Sequence, residues 1–187
     1  MNVSRSVSAI LAGLAVAALA AVVFSGPLSH RLHGHIGSHA RVNATPVSDV
    51  AGFTKVGFTS DYMVIVNVLA GEEMFSLEEV ARDHPTVGEV EIDGEGSEVE
   101  FGSRHVEAHI YDRDTGLALT EPVPIIEVLD GGTGEVTIIQ SVLMQDVIVG
   151  DTDIHFGDNI VIADNTDLKI TVRLGADEEV TVDGRLS

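Results

Sequence analysis

The sequence predicts an all-β fold, a β-sandwich that follows an apolar export segment and a histidine-rich linker. Short runs of apolar and β-branched residues recur from Tyr62 to Val182, and Gly- and Asp-rich breaks separate them. This spacing is typical of sandwiches of short antiparallel strands. Residues 112–116 and 130–134 contain the Asp and Gly that hairpin turns use, so we expect a hairpin at each.

The first 25 residues predict export. Arg5 precedes an apolar run from Ala9 to Phe24, which is the pattern of a signal peptide. As a helix rising about 1.5 Å per residue the run reaches about 24 Å, short of the roughly 30 Å of a bilayer core. Residues 1–25 are therefore interpreted as a signal peptide or, alternatively, a short membrane anchor. Either one predicts an extracytoplasmic protein, periplasmic or on the cell surface, which meets the membrane only through this segment.

Residues 26–50 predict a disordered linker, because polar residues, Gly and Pro dominate them without hydrophobic periodicity. Four histidines in this linker could scavenge metal, but a solvated tether is the simpler interpretation. The four are His30, His33, His35 and His39.

Residues 51–187 form the predicted domain. One short helical turn is expected at Ser76–Arg82, where Ser76 and Glu79 match a capping box and Pro85 prevents continuation. The expected strands are Tyr62–Leu69, His105–Tyr111, Val123–Leu129, Glu135–Gln140, Ser141–Val149, Asn159–Ala163, Leu168–Leu174 and Glu179–Val182.

Charge and cysteine content restrict the possible functions. The chain has 30 acidic and ten basic residues, and Arg5, Arg31 and Arg41 all precede the first acid. Nucleic acid is therefore not an expected partner, because binding it requires a basic surface. The chain has no cysteine, so a metal would be held by His, carboxylate or Met side chains.

One predicted strand carries a polar face that could bind a metal. His105, Glu107 and His109 alternate with apolar residues, so they point to one face while the apolar side chains point to the core. Side chains two apart stand about 7 Å from each other, and His105 and His109 about 14 Å, so all three cannot share one ion. A complete site needs ligands from elsewhere in the chain. A solvated polar face is the alternative.

The second candidate is His155, which lies in a Gly- and Asp-rich segment, 150–159, that we expect to be a loop. Binding groups tend to lie on loops between rigid strands, and a histidine among carboxylates favours metal binding. A solvated turn is the alternative.

Two motifs resemble those of a known family, the periplasmic iron-transport proteins of the Fe²⁺ transport protein family. His105-Val106-Glu107-Ala108-His109-Ile110 resembles the family's His-Leu-Glu-Ala-Asp-Ile, and Asp153-Ile154-His155-Phe156-Gly157-Asp158-Asn159-Ile160 resembles its Gly-Pro-His-Tyr-Gly-(Asp/Asn)-Asn. The likeness runs from Tyr62 to about Leu174. It implies an immunoglobulin-like β-sandwich, commonly dimeric, that binds copper, iron or zinc and assists high-affinity uptake with a membrane iron transporter.

The resemblance also implies a ligand set. His105, Glu107 and His155 would be metal ligands, and Met144 would correspond to a methionine ligand of the family. Where the family has Met-Pro-Met this chain has Met144-Gln145-Asp146, so Asp146 could replace a soft thioether, which leaves the identity of the metal open.

Three further positions follow from the same resemblance. Either Asp151 or Asp153 would match the family's loop aspartate, and His109 replaces the aspartate of the first motif. Asp153 and His109 are therefore candidates to complete four to six ligand positions. The segment Val68–Met74 is similar to an acidic segment with a methionine near the family's N-terminus.

The sequence thus predicts an extracytoplasmic metal-binding protein for copper or iron uptake. The alternative is a structural or adhesive cell-surface β-sandwich, in which Asp-rich loops such as 112–116 bind Ca²⁺ through oxygen ligands. An enzyme is not expected, because the chain has no Gly-x-Ser-x-Gly, phosphate-loop or His-Glu-x-x-His motif. Redox chemistry at a bound metal is the one reaction left open.

Overall fold

The computed structural model describes residues 52–187, and it confirms the predicted all-β sandwich. The predictions for the export segment and the linker concern residues outside this range. Among residues 52–187, no helix is long and apolar enough to cross a membrane.

The described chain is built mainly from short strands. They are β1 (Phe53–Phe58), β2 (Tyr62–Ala70), β3 (Met74–Ser76), β4 (Glu89–Glu91), β5 (Gly96–Ser97), β6 (Ser103–Asp112), β7 (Ile125–Asp130), β8 (Val136–Ile139), β9 (Val142–Asp146), β10 (His155–Val161), β11 (Asp167–Arg173) and β12 (Glu179–Arg185). One helix, α1 (Leu77–Asp83), and a 3-10 turn, Gly150–Thr152, interrupt them.

The strands form two sheets. The larger has the order β1-β2-β6-β10-β9-β4-β3-β5, and the smaller has the order β12-β11-β7-β8. Apolar side chains from both sheets form one aliphatic core, because alternate residues of each strand point inward. Its fully buried members include Val64, Val66, Val106, Ala108, Ile126, Phe156, Ile170 and Val172.

The expected helical turn and hairpins are confirmed. Ser76 caps α1 and forms the capping box with Glu79, and the helix ends at His84, whose φ of 50° is left-handed. Residues 130–134 join the antiparallel strands β7 and β8. Residues 112–116 form a turn that brings Ala118 beside Tyr111 in an antiparallel bridge.

Two predicted strand boundaries were wrong, and four strands, β1, β3, β4 and β5, were not predicted. β10 begins at His155 rather than Asn159, so His155 is a strand residue and not a loop residue. The two residues that follow it explain this boundary, because Phe156 enters the core and Gly157 pairs with Glu107. β9 ends at Asp146 rather than Val149, because Oδ1 of Asp146 accepts hydrogen bonds from the two N–H groups that follow Val147. β1 lacks apolar alternation and is mostly exposed, but it pairs with β2 at the edge of the sheet.

Both faces of strand β6 are buried, and one of them carries the candidate site. Val106 and Ala108 lie in the core. On the opposite face His105, Glu107 and His109 are only 0%, 5% and 7% exposed. A solvated polar face, which the sequence left open as the alternative, is therefore wrong for this strand.

Candidate metal centre

The candidate site lies on one face of four neighbouring strands, in the order β6, β10, β9 and β4. Residues directly opposite each other on paired strands share a face of the sheet. His155 on β10 lies opposite Met144 on β9, and Glu89 on β4 lies opposite Asp146 on β9. Sheet pairing thus brings together residues that are far apart in the sequence.

Four buried side chains converge at the centre of this face. One ligand atom from each of Glu89, His105, Glu107 and His155 lies within 4.8 Å of the others. Nε2 of His105 is 3.5 Å from Oε2 of Glu107, and Nε2 of His155 is 3.4 Å from the same oxygen. Oε2 of Glu89 is 3.6 Å from Nε2 of His155. We call these four residues the inner group.

Several polar atoms of the inner group have no hydrogen-bond partner. By hydrogen-bond geometry they are both ring nitrogens of His105, Nε2 of His155 and Oε2 of Glu89, although Asn159 lies close enough to His105 to act on its pKa. A buried polar atom without a partner costs free energy comparable to a lost hydrogen bond, and native structures rarely keep several together. Two imidazoles and two carboxylates are the donors that zinc, iron and copper use, so this set fits a transition-metal ion.

The orientation of His155 favours metal binding. Its Nδ1 lies 2.9 Å from the backbone carbonyl oxygen of Asp153, which can only accept, so Nδ1–H is the donor. In the neutral ring Nε2 then carries the free lone pair and faces the inner group. In metal-binding histidines, a hydrogen bond from the other ring nitrogen holds the ring in the tautomer that can bind the metal.

A second group adjoins the first and shares one of its residues. Ligand atoms of His109, Asp153 and His155 also lie within 4.8 Å of one another. Nδ1 of His109 is 3.9 Å from Oδ1 of Asp153, and Nε2 of His109 is 3.1 Å from Oε1 of Glu107. We call His109 and Asp153 the outer pair. His105 and His109 belong to different groups, although both contact the carboxylate of Glu107.

The carboxylates of the site have strongly shifted pKa values. Burial alone would raise the pKa of Glu107, but the hydrogen bond from His109 and the neighbouring histidines hold it at about 2. Burial, then the charges of Glu72 and Glu107, raise the pKa of Glu89 to about 9. Burial and nearby carboxylates, Glu107 first, raise the pKa of Glu72 to about 7. Without metal, therefore, Glu107 is ionised at neutral pH and Glu89 is protonated.

The three histidines of the site also have shifted pKa values, two of them lowered and one raised. Burial lowers the pKa of His105 to about 4, although Glu107 opposes the shift. Burial also lowers the pKa of His155. The pKa of His109 is raised, because its hydrogen bond to Glu107 and the charges of Glu107 and Asp153 outweigh burial. At neutral pH His105 and His155 are thus neutral imidazoles, the form that binds metal.

Met144 and Asp146 lie on the same face of β9 but differ in their contacts. Met144 is fully buried, lies directly opposite His155 and is outside the main core. Its side chain is therefore on the same face of the sheet as the inner group. Oδ1 of Asp146 accepts two backbone hydrogen bonds of 2.6 Å in the turn that follows β9, so this oxygen is already engaged by the backbone. Asp146 adds its charge to the site, but it is outside both groups.

Two acidic residues of the site, Glu89 and Glu72, were not among the predicted ligands. Glu89 lies on β4, a strand of three residues, and only its alternation with Val90 and Glu91 could have marked it. Glu72 was noticed only within a segment that resembles the family. The side chain of Asn159 holds the backbone of Glu72 at the site. Its Oδ1 accepts a hydrogen bond of 3.2 Å from the N–H of Glu72, and its Nδ2 donates one of 2.5 Å to the carbonyl of Glu72.

In each Asp-rich loop, one oxygen of the first aspartate takes part in turn formation. Oδ1 of Asp112 accepts hydrogen bonds from the N–H of Asp114 and from the N–H and hydroxyl of Thr115. Oδ1 of Asp130 accepts from the N–H groups of Gly132 and Thr133. These hydrogen bonds account for Asp112 and Asp130 without a bound cation. The Ca²⁺-binding alternative stays a prediction.

Comparisons with known proteins add little about function. No protein-family model matches the chain, and no curated protein matches it. Among solved structures it is similar to a DUF4426 family protein from Pseudomonas aeruginosa, with 12% identity and a TM-score of 0.39. The match covers 72% of this chain and 92% of that protein.

Proposed function

We propose that this protein binds a transition-metal ion, copper, iron or zinc, outside the cytoplasm and supplies it to a metal transporter in the membrane. The observation that carries the proposal is the inner group, in which buried imidazoles and carboxylates converge and leave several polar atoms without partners. The resemblance of the two motifs to iron-transport proteins supports the uptake role and a homodimer.

The charges of the chain support cation binding. Glu72, Asp146 and Asp153 surround the inner group closely enough to raise the pKa of Glu89. The whole chain has a net charge of −20, which attracts cations toward the protein. Inside the site, protein side chains replace the water of the ion, and this burial favours a tightly held ion over a loosely associated counter-ion.

The proposal is tested by thermal unfolding of the full chain with Cu²⁺, Zn²⁺ or Fe²⁺. A ligand that binds only the folded state stabilises it by about 2.7 kcal/mol at a concentration of 100 Kd. We expect a stoichiometric rise in Tm for the wild type and for the control His84→Asn, which removes an exposed imidazole and keeps a residue that tolerates the left-handed φ. His105→Ala and His155→Ala should lose this rise. Equal binding in all four proteins would contradict the proposal, and stabilisation by Ca²⁺ alone would favour the adhesive β-sandwich.

A further inference from the structure

One residue of the outer pair, Asp153, is accessible to solvent, whereas His109 is buried like the inner group. The four residues of the inner group are at most 5% exposed, whereas the side chain of Asp153 is 34% exposed. Asp153 lies directly after the 3-10 turn Gly150–Thr152, and it is the most exposed residue of the two groups. Its Oδ1 lies 3.9 Å from Nδ1 of the buried His109, so the exposed carboxylate adjoins a buried imidazole.

The two groups cannot hold complete ligand sets at the same time. Both include His155, and its Nδ1 donates a hydrogen bond to the carbonyl of Asp153. Only Nε2 is left for a metal. Nε2 binds one ion, so an ion with His155 as ligand lies either with the inner group or with the outer pair.

Glu107 and His155 connect the two positions. Oε1 of Glu107 contacts His109, and Oε2 contacts His105 and His155. The ring of His155 is 5.7 Å from that of His105 and 5.0 Å from that of His109, measured between centroids. A bound ion can therefore keep His155 while it exchanges the outer ligands for the inner ones.

We propose that His109 and Asp153 form an outer capture position for a divalent transition-metal ion, which passes through it into and out of the inner group. This inference rests on the proposed function, because it assigns a route to the same site. It predicts that the outer pair controls the rates of loading and release more than the equilibrium affinity, since a position on the path affects both directions alike.

The test measures the transfer of Zn²⁺ between the protein and a chromophoric chelator by stopped flow. His109→Gln removes the ligating imidazole, and Asp153→Asn removes the carboxylate but keeps the carbonyl that holds His155. Asp151→Asn, an exposed acid of the same turn, is the matched control. All proteins are full-length chains in which the linker histidines are replaced by the substitutions His30→Asn, His33→Asn, His35→Asn and His39→Asn.

We expect both outer variants to slow loading and release by a common factor of about tenfold or more, the usual scale for groups that support a metal site. One Zn²⁺ should still bind, with a much smaller change in Kd, and Asp151→Asn should behave as the wild type. Unchanged rates would overturn the inference and leave the proposed function intact. Loss of binding as complete as in His105→Ala would also overturn it, because the outer pair would then belong to a single ligand set. Absence of Zn²⁺ binding by the starting protein would overturn both proposals.

Discussion

Nε2 of His155 lies 3.4 Å from Oε2 of Glu107, at the centre of a face of the sheet that is closed to solvent. Burial disfavours the charged form of His155, whereas the hydrogen bond and the charge of His109 keep Glu107 ionised. The result is a neutral imidazole beside a carboxylate anion. This combination binds a cation without first losing a proton from either group.

Glu89, in contrast, has to lose a proton before it can bind a metal. Its pKa is raised to about 9, so it is protonated at neutral pH in the metal-free protein. We expect the Zn²⁺ affinity of the wild type to rise between pH 7 and pH 8.5, by up to about tenfold per pH unit for one displaced proton. Glu89→Gln should bind more weakly and lose this rise. Competition with a chelator at several pH values measures both effects, and a flat profile in the wild type would count against Glu89 as a ligand.

The stability of the metal-free protein should depend on the same residue. A carboxyl whose pKa is raised in the folded state stabilises the fold below its unfolded value of 4.5 and loses this contribution as the pH rises toward about 9. Between pH 7 and pH 9 the free energy of unfolding should therefore fall, by at most about 1.4 kcal/mol per pH unit. Urea denaturation with a chelator present should show this decrease in the wild type and a flatter profile in Glu89→Gln. Parallel profiles would show that Glu89 ionises normally.

Met144 offers a test of which metal the site prefers. Met144→Leu keeps an apolar side chain of similar volume but removes the thioether, a ligand that favours Cu⁺ over Zn²⁺. We expect Cu⁺ affinity to fall by about tenfold or more while Zn²⁺ affinity stays nearly unchanged. Competition titrations with chelators for each ion measure the difference. An equal loss for both ions would indicate a packing role for Met144 instead.

Gly157 should be required for the close pairing of β6 and β10. A Cβ added at this position would lie 2.4 Å from the backbone oxygen of Val106 and 3.1 Å from Cα of Glu107. Because both neighbours are backbone, Gly157→Ala should destabilise the protein by about 1–3 kcal/mol, the usual cost of overpacking. It should also weaken metal binding by shifting Glu107 relative to His155. A Tm equal to that of the wild type would show that the strands can separate without cost.

Much of the fold and part of the site could be predicted from local patterns. The alternation around His105 and Glu107 gave the correct strand and the correct faces, because one face had to match the core. His155 was predicted as a ligand but placed in a loop, because the Gly and Asp residues around it suggested a turn. Phe156 enters the core, and the segment pairs with both β6 and β9, so it is a strand rather than an exposed turn.

The remaining parts of the site depend on non-local pairing. Glu89 reaches the site only because β4 pairs with β9 and places Glu89 opposite Asp146, and nothing within a strand of three residues specifies that partner. Asp146 was predicted as a ligand from the resemblance, but one of its oxygens closes the turn that follows it. Whether a polar strand face is solvated or buried also depends on what packs over it, which alternation alone does not specify.

The most direct test of the site is anomalous diffraction from crystals of the full chain grown with Zn²⁺. We expect one anomalous peak within the inner group, about 2.0–2.1 Å from Nε2 of both His105 and His155. Peaks confined to other parts of the molecule, with none between these two rings, would contradict a metal centre at this position.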